Sequence, residues 1–225
     1  MTRQLSIIVP TLDEAGLVAA TLGALAPLRA LGHEVIVVDG GSRDSTLALC
    51  RGRADTVFAA PRGRARQMNA GAARARGDVL LFLHADTLLP ARADALIAAA
   101  LERGALWGRF DVRIAGRSPM FPVIAAMMNR RSRWTGVATG DQAMFVRRAL
   151  FEQMGGFADL ALMEDVDLSH RLRARGAPAC LRERAVTSGR RWESRGVWRT
   201  IWLMWRLRWR HWRGAPAEEL AKAYR

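Results

Sequence analysis

Cysteine is almost missing from this chain of 225 residues: Cys50 and Cys180 are its only two, far apart and in no C-x-x-C pattern. That excludes a disulfide framework and leads to the expectation of two reduced, ordinary thiols in a cytoplasmic protein. Long apolar runs are missing too. No stretch of about 18 apolar residues occurs, so no transmembrane span is expected. No secretory leader, low-complexity linker or internal repeat is read in the sequence. Lysine is scarcest of all, with Lys222 alone among 35 basic residues, and acidic residues number only 21, for a net charge of +14. Such a balance favours nucleotides, phosphates, nucleic acid or an acidic membrane surface, but arginine spread over a solvated surface produces the same total, so position must decide. Helix-turn-helix, zinc-finger and RNP-type aromatic signatures are all absent, and nucleic acid is therefore not the expected partner.

What is there suits one large α/β domain, since half of the residues are apolar. LSIIVP (residues 5–10), HEVIVVDGG (33–41), TVFAA (56–60) and DVLLFLHADT (78–87) read as strands bounded by turn signals. A helical stretch (13–31) joins the first two, a helix opens at GSRDST with Ser42 and Asp44 as capping candidates, and residues 62–78 form a loop leading into a helix. This alternation predicts a mostly parallel sheet with helices on both faces. Further on, ARADALIAAALERG is a helix, WGRFDVRIAG (107–116) alternates like an exposed or edge strand, and DQAMFVRRALFEQMGGF reads as a strand running into a short helix. EDVDLSHRLRARG (164–176) is a helix with carboxylates in its first turn and arginines in its last, matching the helix dipole.

Four polar clusters fall where strands or loops end: Asp39 to Ser42, His84 to Thr87, Gly140 to Gln142, and Glu164 with Asp165. Parallel strands place their carboxyl ends on one edge, where open α/β sheets bind ligands, so Asp39 and Asp86 are expected to share a crevice. A carboxylate there can accept hydrogen bonds from a base or ribose, or bind a hard divalent cation beside a diphosphate. A single such Asp is more often a cap or turn residue; several in one small domain point to a site.

In order along the chain, SIIVPTLDEAG, VIVVDGGSRDST, GRARQMNAGAARARGDVLLFLHADT and MEDVDLSHRLRARG resemble the sequence blocks of glycosyltransferase family 2, the nucleotide-diphosphosugar transferases of the GT-A fold. RGRARQMNAGA, FLHADT, WGRFDVR, TGDQAMFVRR and SGRRWE resemble most closely the arsenosugar-biosynthesis-type subgroup, a likeness that says little about the acceptor. The resemblance implies a GT-A domain over residues 1–190, with a nucleotide-binding half (1–90) and an acceptor-side half (91–190), followed by a Trp/Arg-rich helical extension (191–225). It implies an inverting transfer from a UDP- or GDP-type sugar donor, dependent on Mn²⁺ or Mg²⁺.

Residue by residue, the resemblance implies that Pro10, Thr11 and Glu14 cradle the nucleotide, that Asp39 contacts the base, and that Ser42 follows it. Asn69 and Gly71 match an R-N-x-G block whose arginine is here Met68, so Arg64 and Gln67 are assigned its donor contact. Asp86 matches the last acid of the Asp-x-Asp metal motif and His84 stands where the first would be, as a ligand to sugar, ribose or metal, or as a packed histidine. Asp165 matches the general base, and Glu164 beside it orients the acceptor or tunes the base, against the plainer reading of both as helix caps. Asp141 and Gln142 match a loop facing the acceptor. Trp107 is assigned to the acceptor pocket, although an aromatic in a strand is more often core. Arg190 and Arg191, in SGRRWE, match an element that closes over the diphosphate.

Two rival readings stay open on the residues, a degenerate relative and a basic nucleic-acid-binding protein suggested by the charge alone, and a third, a phosphatase, is discounted. LLFLHADT superficially resembles a phosphatase block of the haloacid-dehalogenase type, except that His84 occupies the nucleophile's place. The substitutions at His84 and Met68 also suit a degenerate relative that binds nucleotide without transfer.

Near the C-terminus Trp198, Trp202, Trp205, Trp209 and Trp212 recur at spacings of four and three, one stripe of a helix with arginines around it. The expectation leans to a stripe packed on the domain or on a twin subunit, with peripheral attachment to the inner face of a membrane as the alternative. SPMFPVIAAMMNRRSRW (118–134) is a second segment of this type, and the two could frame an amphiphilic acceptor.

Overall fold

The computed structural model describes residues 4–224 and carries the expected alternation through its first half. In order these are β1 (Leu5–Thr11), α1 (Val18–Ala30), β2 (Glu34–Asp39), α2 (Thr46–Cys50), β3 (Thr56–Ala59), α3 (Arg64–Ala72) and β4 (Val79–Phe82). Then follow β5 (Thr87–Leu88), α4 (Ala93–Glu102), β6 (Trp107–Ala115), α5 (Phe121–Thr135), a one-turn 3-10 helix (Gly140–Gln142), β7 (Met144–Arg147) and α6 (Arg148–Gln153). The chain closes with α7 (Glu164–Arg173), β8 (Ala179–Ser188), α8 (Arg190–Arg195), α9 (Val197–Trp212) and α10 (Ala217–Tyr224).

The strands form one sheet in the order β3-β2-β1-β4-β7-β6-β8-β5. Its first four strands are parallel, as expected. The remainder is mixed: β7 enters antiparallel between β4 and β6, β8 runs parallel to β6, and β5 closes the edge antiparallel to β8. Central strands are covered on both faces, so successive residues enter opposite cores. Ile7, Val9, Val35 and Val37 pack with α1 and α4, whereas Ile8, Ile36 and Val38 pack with α3, α6 and α7. Gly71 lets α3 sit directly on β1, since a Cβ there would lie 2.5 Å from Ile8 Cγ2.

Three expectations need correction. First, β6 is an interior strand, not an exposed or edge one. Two of its alternating polar residues are buried and paired, while Arg113 stays exposed: Arg109 is fully buried against Asp111, whose second oxygen takes Arg133 Nη2 at 2.8 Å. Second, α1 starts at Val18 rather than at residue 13. Asp13 adopts φ 54°, donates its N–H to Ser42 Oγ and accepts the Arg43 N–H, so this segment belongs to a loop tied to the end of β2. Third, the tryptophan stripe of α9 does not pack on the domain. Leu203, Met204 and Leu207 instead fill a core with Val137, Leu162, Val166 and Leu220, and Val197 and Ile201 meet Phe121 and Ile124 of α5. All five tryptophans are left between 57% and 80% exposed. No helix among the described residues is long and apolar enough to cross a membrane.

Candidate active site

Strand polarity decides which side chains meet. Because β1, β2 and β4 are parallel, the loops that leave their carboxyl ends lie on one edge: Asp13 and Glu14, then Asp39 to Ser42, then His84 to Asp86. Antiparallel β7, registered Met144 against Phe82, begins at that same edge and delivers the turn Gly140–Gln142. Strand β8 ends there too, being parallel to β6 and hence antiparallel to β7, and hands on directly to Arg190 and Arg191. The first turn of α7 is held against this group by the Gly140 N–H, which donates to Asp165 Oδ2 at 2.8 Å.

Within the cleft, charges alternate in sign. Glu164 is 2% exposed; its Oε1 lies 3.0 Å from Arg64 Nε, and its buried Oε2 has no partner among the described residues. Burial raises the Glu164 carboxyl above its ordinary range, with the Arg64 cation opposing. Burial also works against the charge on Arg64, but Glu164, Asp165, Asp141 and Asp86 together outweigh it and hold the guanidinium above its usual value. His84 Nδ1 lies 3.4 Å from Asp141 Oδ1. Burial disfavours both charges, yet their mutual attraction wins, raising His84 and lowering Asp141. The His84 ring stacks against Gly140 so closely that a Cβ there would stand 2.2 Å from Nε2. Across the cleft, Arg190 Nη2 meets Glu14 Oε2 at 2.9 Å, joining residues far apart in the chain. Glu14 is raised by burial despite that partner.

Asp86 makes no ion pair among the described residues; its Oδ1 accepts only the Thr87 hydroxyl, at 3.3 Å. No group of three His, Cys, Asp or Glu residues capable of holding a metal occurs among the described residues. The donor set therefore fits a hard cation that keeps one protein carboxylate and takes its other ligands from a substrate diphosphate or water, and does not fit an all-protein cage. His84, engaged by Asp141 on one nitrogen and packed on Gly140 at the other, is a held histidine. Three non-glycine residues in left-handed conformation flank the site, Asp13 (φ 54°), Ala143 (φ 46°) and Met163 (φ 69°). Such backbone strain, of order 1–3 kcal/mol each, concentrates where function fixes geometry.

Several residues assigned to the site serve as its scaffold. Asp39 is fully buried, and its carboxylate accepts hydrogen bonds from the Gly41 and Ser42 amides and the Ser42 and Thr11 hydroxyls. Pro10 and Thr11 are buried at the end of β1. Gln67 donates to the Thr11 and Val38 carbonyls at 2.8 Å, tying β1 to β2. Asn69 clasps the backbone of Phe157 through both N–H and C=O. Gln142 is buried and closes a capping box with Thr139. Trp107 is fully buried, with its indole N–H donated to the Gly176 carbonyl, so it belongs to the core and not to a pocket wall. Met68, where the arginine was missing, joins Phe82, Met144 and Phe157 in an apolar floor beneath His84, Gly140, Glu164 and Asp165.

Sequence reasoning missed Arg131 of α5 and Arg208 of α9. Both lie within electrostatic reach of Asp165; burial pulls Arg208 down and Arg131 down to about 10, as it does Arg191. The Arg131 Nε and Nη2 atoms are buried without a hydrogen-bond partner among the described residues. Nothing in spacing marks these two among so many arginines.

Residues 6–155 match the family described as glycosyl transferase family 2. A probable glycosyltransferase, YdaM, of Bacillus subtilis is 26% identical over 92% of this chain and 54% of its own length. A PGL/p-HBAD biosynthesis glycosyltransferase of Mycobacterium bovis is 31% identical over 68% of this chain and 62% of its own. The chain thus spans little more than half the length of these relatives. Among solved structures, Staphylococcus aureus TarS 1-349 in complex with UDP-GlcNAc is similar with a TM-score of 0.65 at 19% identity, over 82% of this chain and 58% of that one. The mannosyltransferase PcManGT from Pyrobaculum calidifontis, in complex with GDP-Man and Mn²⁺, gives 0.63 at 22% identity, over 83% and 57%. These likenesses show an α/β, GT-A-like fold with a mixed sheet flanked by helices.

Proposed function

Since the chain belongs to glycosyl transferase family 2, we propose that it transfers a sugar from a nucleotide-diphosphate donor to an acceptor hydroxyl, with inversion at the anomeric carbon and with Mn²⁺ or Mg²⁺ at Asp86. One observation carries this reading: sheet polarity brings Asp86, without an ion pair among the described residues, and Asp165, oriented by the Gly140 N–H, to one cleft. The UDP-GlcNAc bound to TarS, and the GDP-Man and Mn²⁺ bound to PcManGT, support a donor of UDP or GDP type and a divalent cation.

Asp165 accepts the proton of the acceptor hydroxyl as that oxygen attacks the anomeric carbon, and the nucleoside diphosphate departs from the opposite face. Glu164, fixed by Arg64, keeps the first turn of α7 in place beneath the base. Arg190 and Arg191 pair with the diphosphate, Arg190 exchanging Glu14 for a phosphate oxygen. A cation at Asp86 would neutralise charge on the leaving diphosphate. Asp141, steadied by His84, faces the acceptor, and the buried Gln142 holds the turn that carries it. Within the family we place the chain nearest the arsenosugar-biosynthesis-type subgroup on its sequence blocks alone, and we take no acceptor from that.

The test is calorimetric titration with UDP- and GDP-sugars, each with and without Mn²⁺ or Mg²⁺. Saturable, metal-dependent binding of one donor, with the metal dependence lost in Asp86→Ala, is expected. Donor binding without any transfer by the wild-type protein would favour the degenerate relative, and binding equal with and without metal would remove Asp86 from its role.

A further inference from the structure

We propose that the exposed aromatic faces of α9 and α5 dock the protein on an anionic lipid bilayer. This does not depend on the transfer reading. The core-facing side of α9 is already satisfied by Leu203, Met204 and Leu207, which makes its other side the notable one. Trp198, Trp202, Trp205, Trp209 and Trp212 fall within one narrow sector of the helix and stand open to solvent. An exposed apolar patch of this size is an interaction surface, and tryptophan is the side chain favoured where an apolar slab meets water.

A second helix repeats the pattern independently. Val123, Met127 and Trp134, at i, i+4 and i+11, are 48%, 56% and 78% exposed along one stripe of α5. Arg130, at i+7 in the same stripe, lies over the Trp134 ring at 5.2 Å. On α9 and just past its end, Arg206 and Arg213 likewise lie over Trp202 and Trp209, at 4.8 and 5.1 Å. The two helices touch through Val197 and Ile201 of the segment 197–212 and Phe121 and Ile124 of α5.

Charge selects the occupant. Helix α9 contains no acidic residue, and guanidinium groups border its tryptophans. A second copy seated on this face would bring two such rows of arginine together within a dimer of two strongly basic chains, whereas anionic headgroups neutralise them. Neither helix crosses a bilayer, so the helices lie in the interface with their rings among the headgroups. Arg131 and Arg208, on these same helices, approach Asp165, so docking would set the cleft close to the lipid surface.

Co-sedimentation of the full chain with phosphatidylcholine vesicles, and with vesicles carrying about one-quarter phosphatidylglycerol, tests this. Partition onto the anionic vesicles is expected to be at least about tenfold stronger, and to weaken as salt rises from about 0.1 M to about 0.5 M. Trp202→Glu combined with Trp205→Glu should lower it at least about tenfold with an unchanged circular-dichroism spectrum and melting temperature, because both side chains are solvated. Replacing Arg199, Arg206 and Arg213 by Gln should remove the preference for anionic lipid. Equal partition of the tryptophan variant, or no partition by wild type with a concentration-dependent dimer in the ultracentrifuge that the variant abolishes, would overturn the proposal.

Discussion

Removing the Arg64 guanidinium should strand a buried carboxylate. Glu164 is 2% exposed, has Arg64 as its ion-pair partner at 3.0 Å, and keeps one oxygen without a hydrogen bond among the described residues. Breaking a fully buried pair costs about 3–5 kcal/mol. The Arg64 side chain is 37% exposed, and solvent screening reduces the figure, so Arg64→Ala is expected to cost about 2–3 kcal/mol. For a chain of this size that lowers the melting temperature by roughly 5–10 °C. The loss must also depend on pH. Burial already raises the Glu164 carboxyl, and losing the opposing cation raises it further. A carboxyl raised in the folded state destabilises the fold above that raised value, and the penalty fades as pH falls through it and the group is protonated. The deficit of Arg64→Ala is therefore largest near pH 8 and shrinks toward the ordinary carboxylate range. Adding Glu164→Gln should recover most of it, a coupling read from a double-mutant cycle of thermal melts. A deficit that is constant with pH, or no recovery in the double variant, would refute the account of Glu164 as a buried, cation-held carboxylate.

Gly140→Ala places a methyl 2.2 Å from His84 Nε2, so either the ring leaves Asp141 or the turn moves and the Gly140 N–H leaves Asp165; donor turnover should fall by roughly 10–100-fold, the equivalent of one lost charge-assisted hydrogen bond, and wild-type turnover would dismiss this coupling. Trp107→Ala removes a fully buried indole and its bond to Gly176, which should cost about 3–5 kcal/mol in denaturant melts; if donor affinity in the surviving folded fraction changed more than stability did, Trp107 would belong to a pocket after all. Asp39→Ala leaves the Gly41 and Ser42 amides without their acceptor, so about 2–4 kcal/mol of stability and the order of the β2 loop should go together, as amide exchange at residues 40–42 would report.

The parallel half of the sheet was legible in the sequence because strands buried on both faces read as unbroken apolar runs, and β1, β2 and β4 do. From those strands followed the shared edge for Asp39 and Asp86, whereas Asp165, on a helix, was marked only by the family resemblance. Strand β6 was misread for a physical reason: Arg109 and Asp111 neutralise each other inside the core, and a pattern of polar residues does not show that they are paired. Gln67 and Asn69 look like donor contacts in sequence, yet each carries an amide that backbone groups of another segment satisfy. The tryptophan stripe was expected to pack because aromatic stripes usually do; only the structure shows that Leu203 and Leu207 had taken that role. Arg131 and Arg208 became visible through burial alone.

The central claim is that Asp165 moves the acceptor's proton and takes no part in holding the donor. Asp165→Asn keeps the shape and one oxygen to accept the Gly140 N–H, gives up the acceptor of the Val166 N–H, and removes the base. With the donor identified by titration, its affinity and the wild-type and variant rates of nucleoside-diphosphate release should be measured side by side. The account predicts unchanged affinity and a rate lower by roughly 10²–10⁴-fold. A variant that releases the diphosphate at the wild-type rate would contradict it.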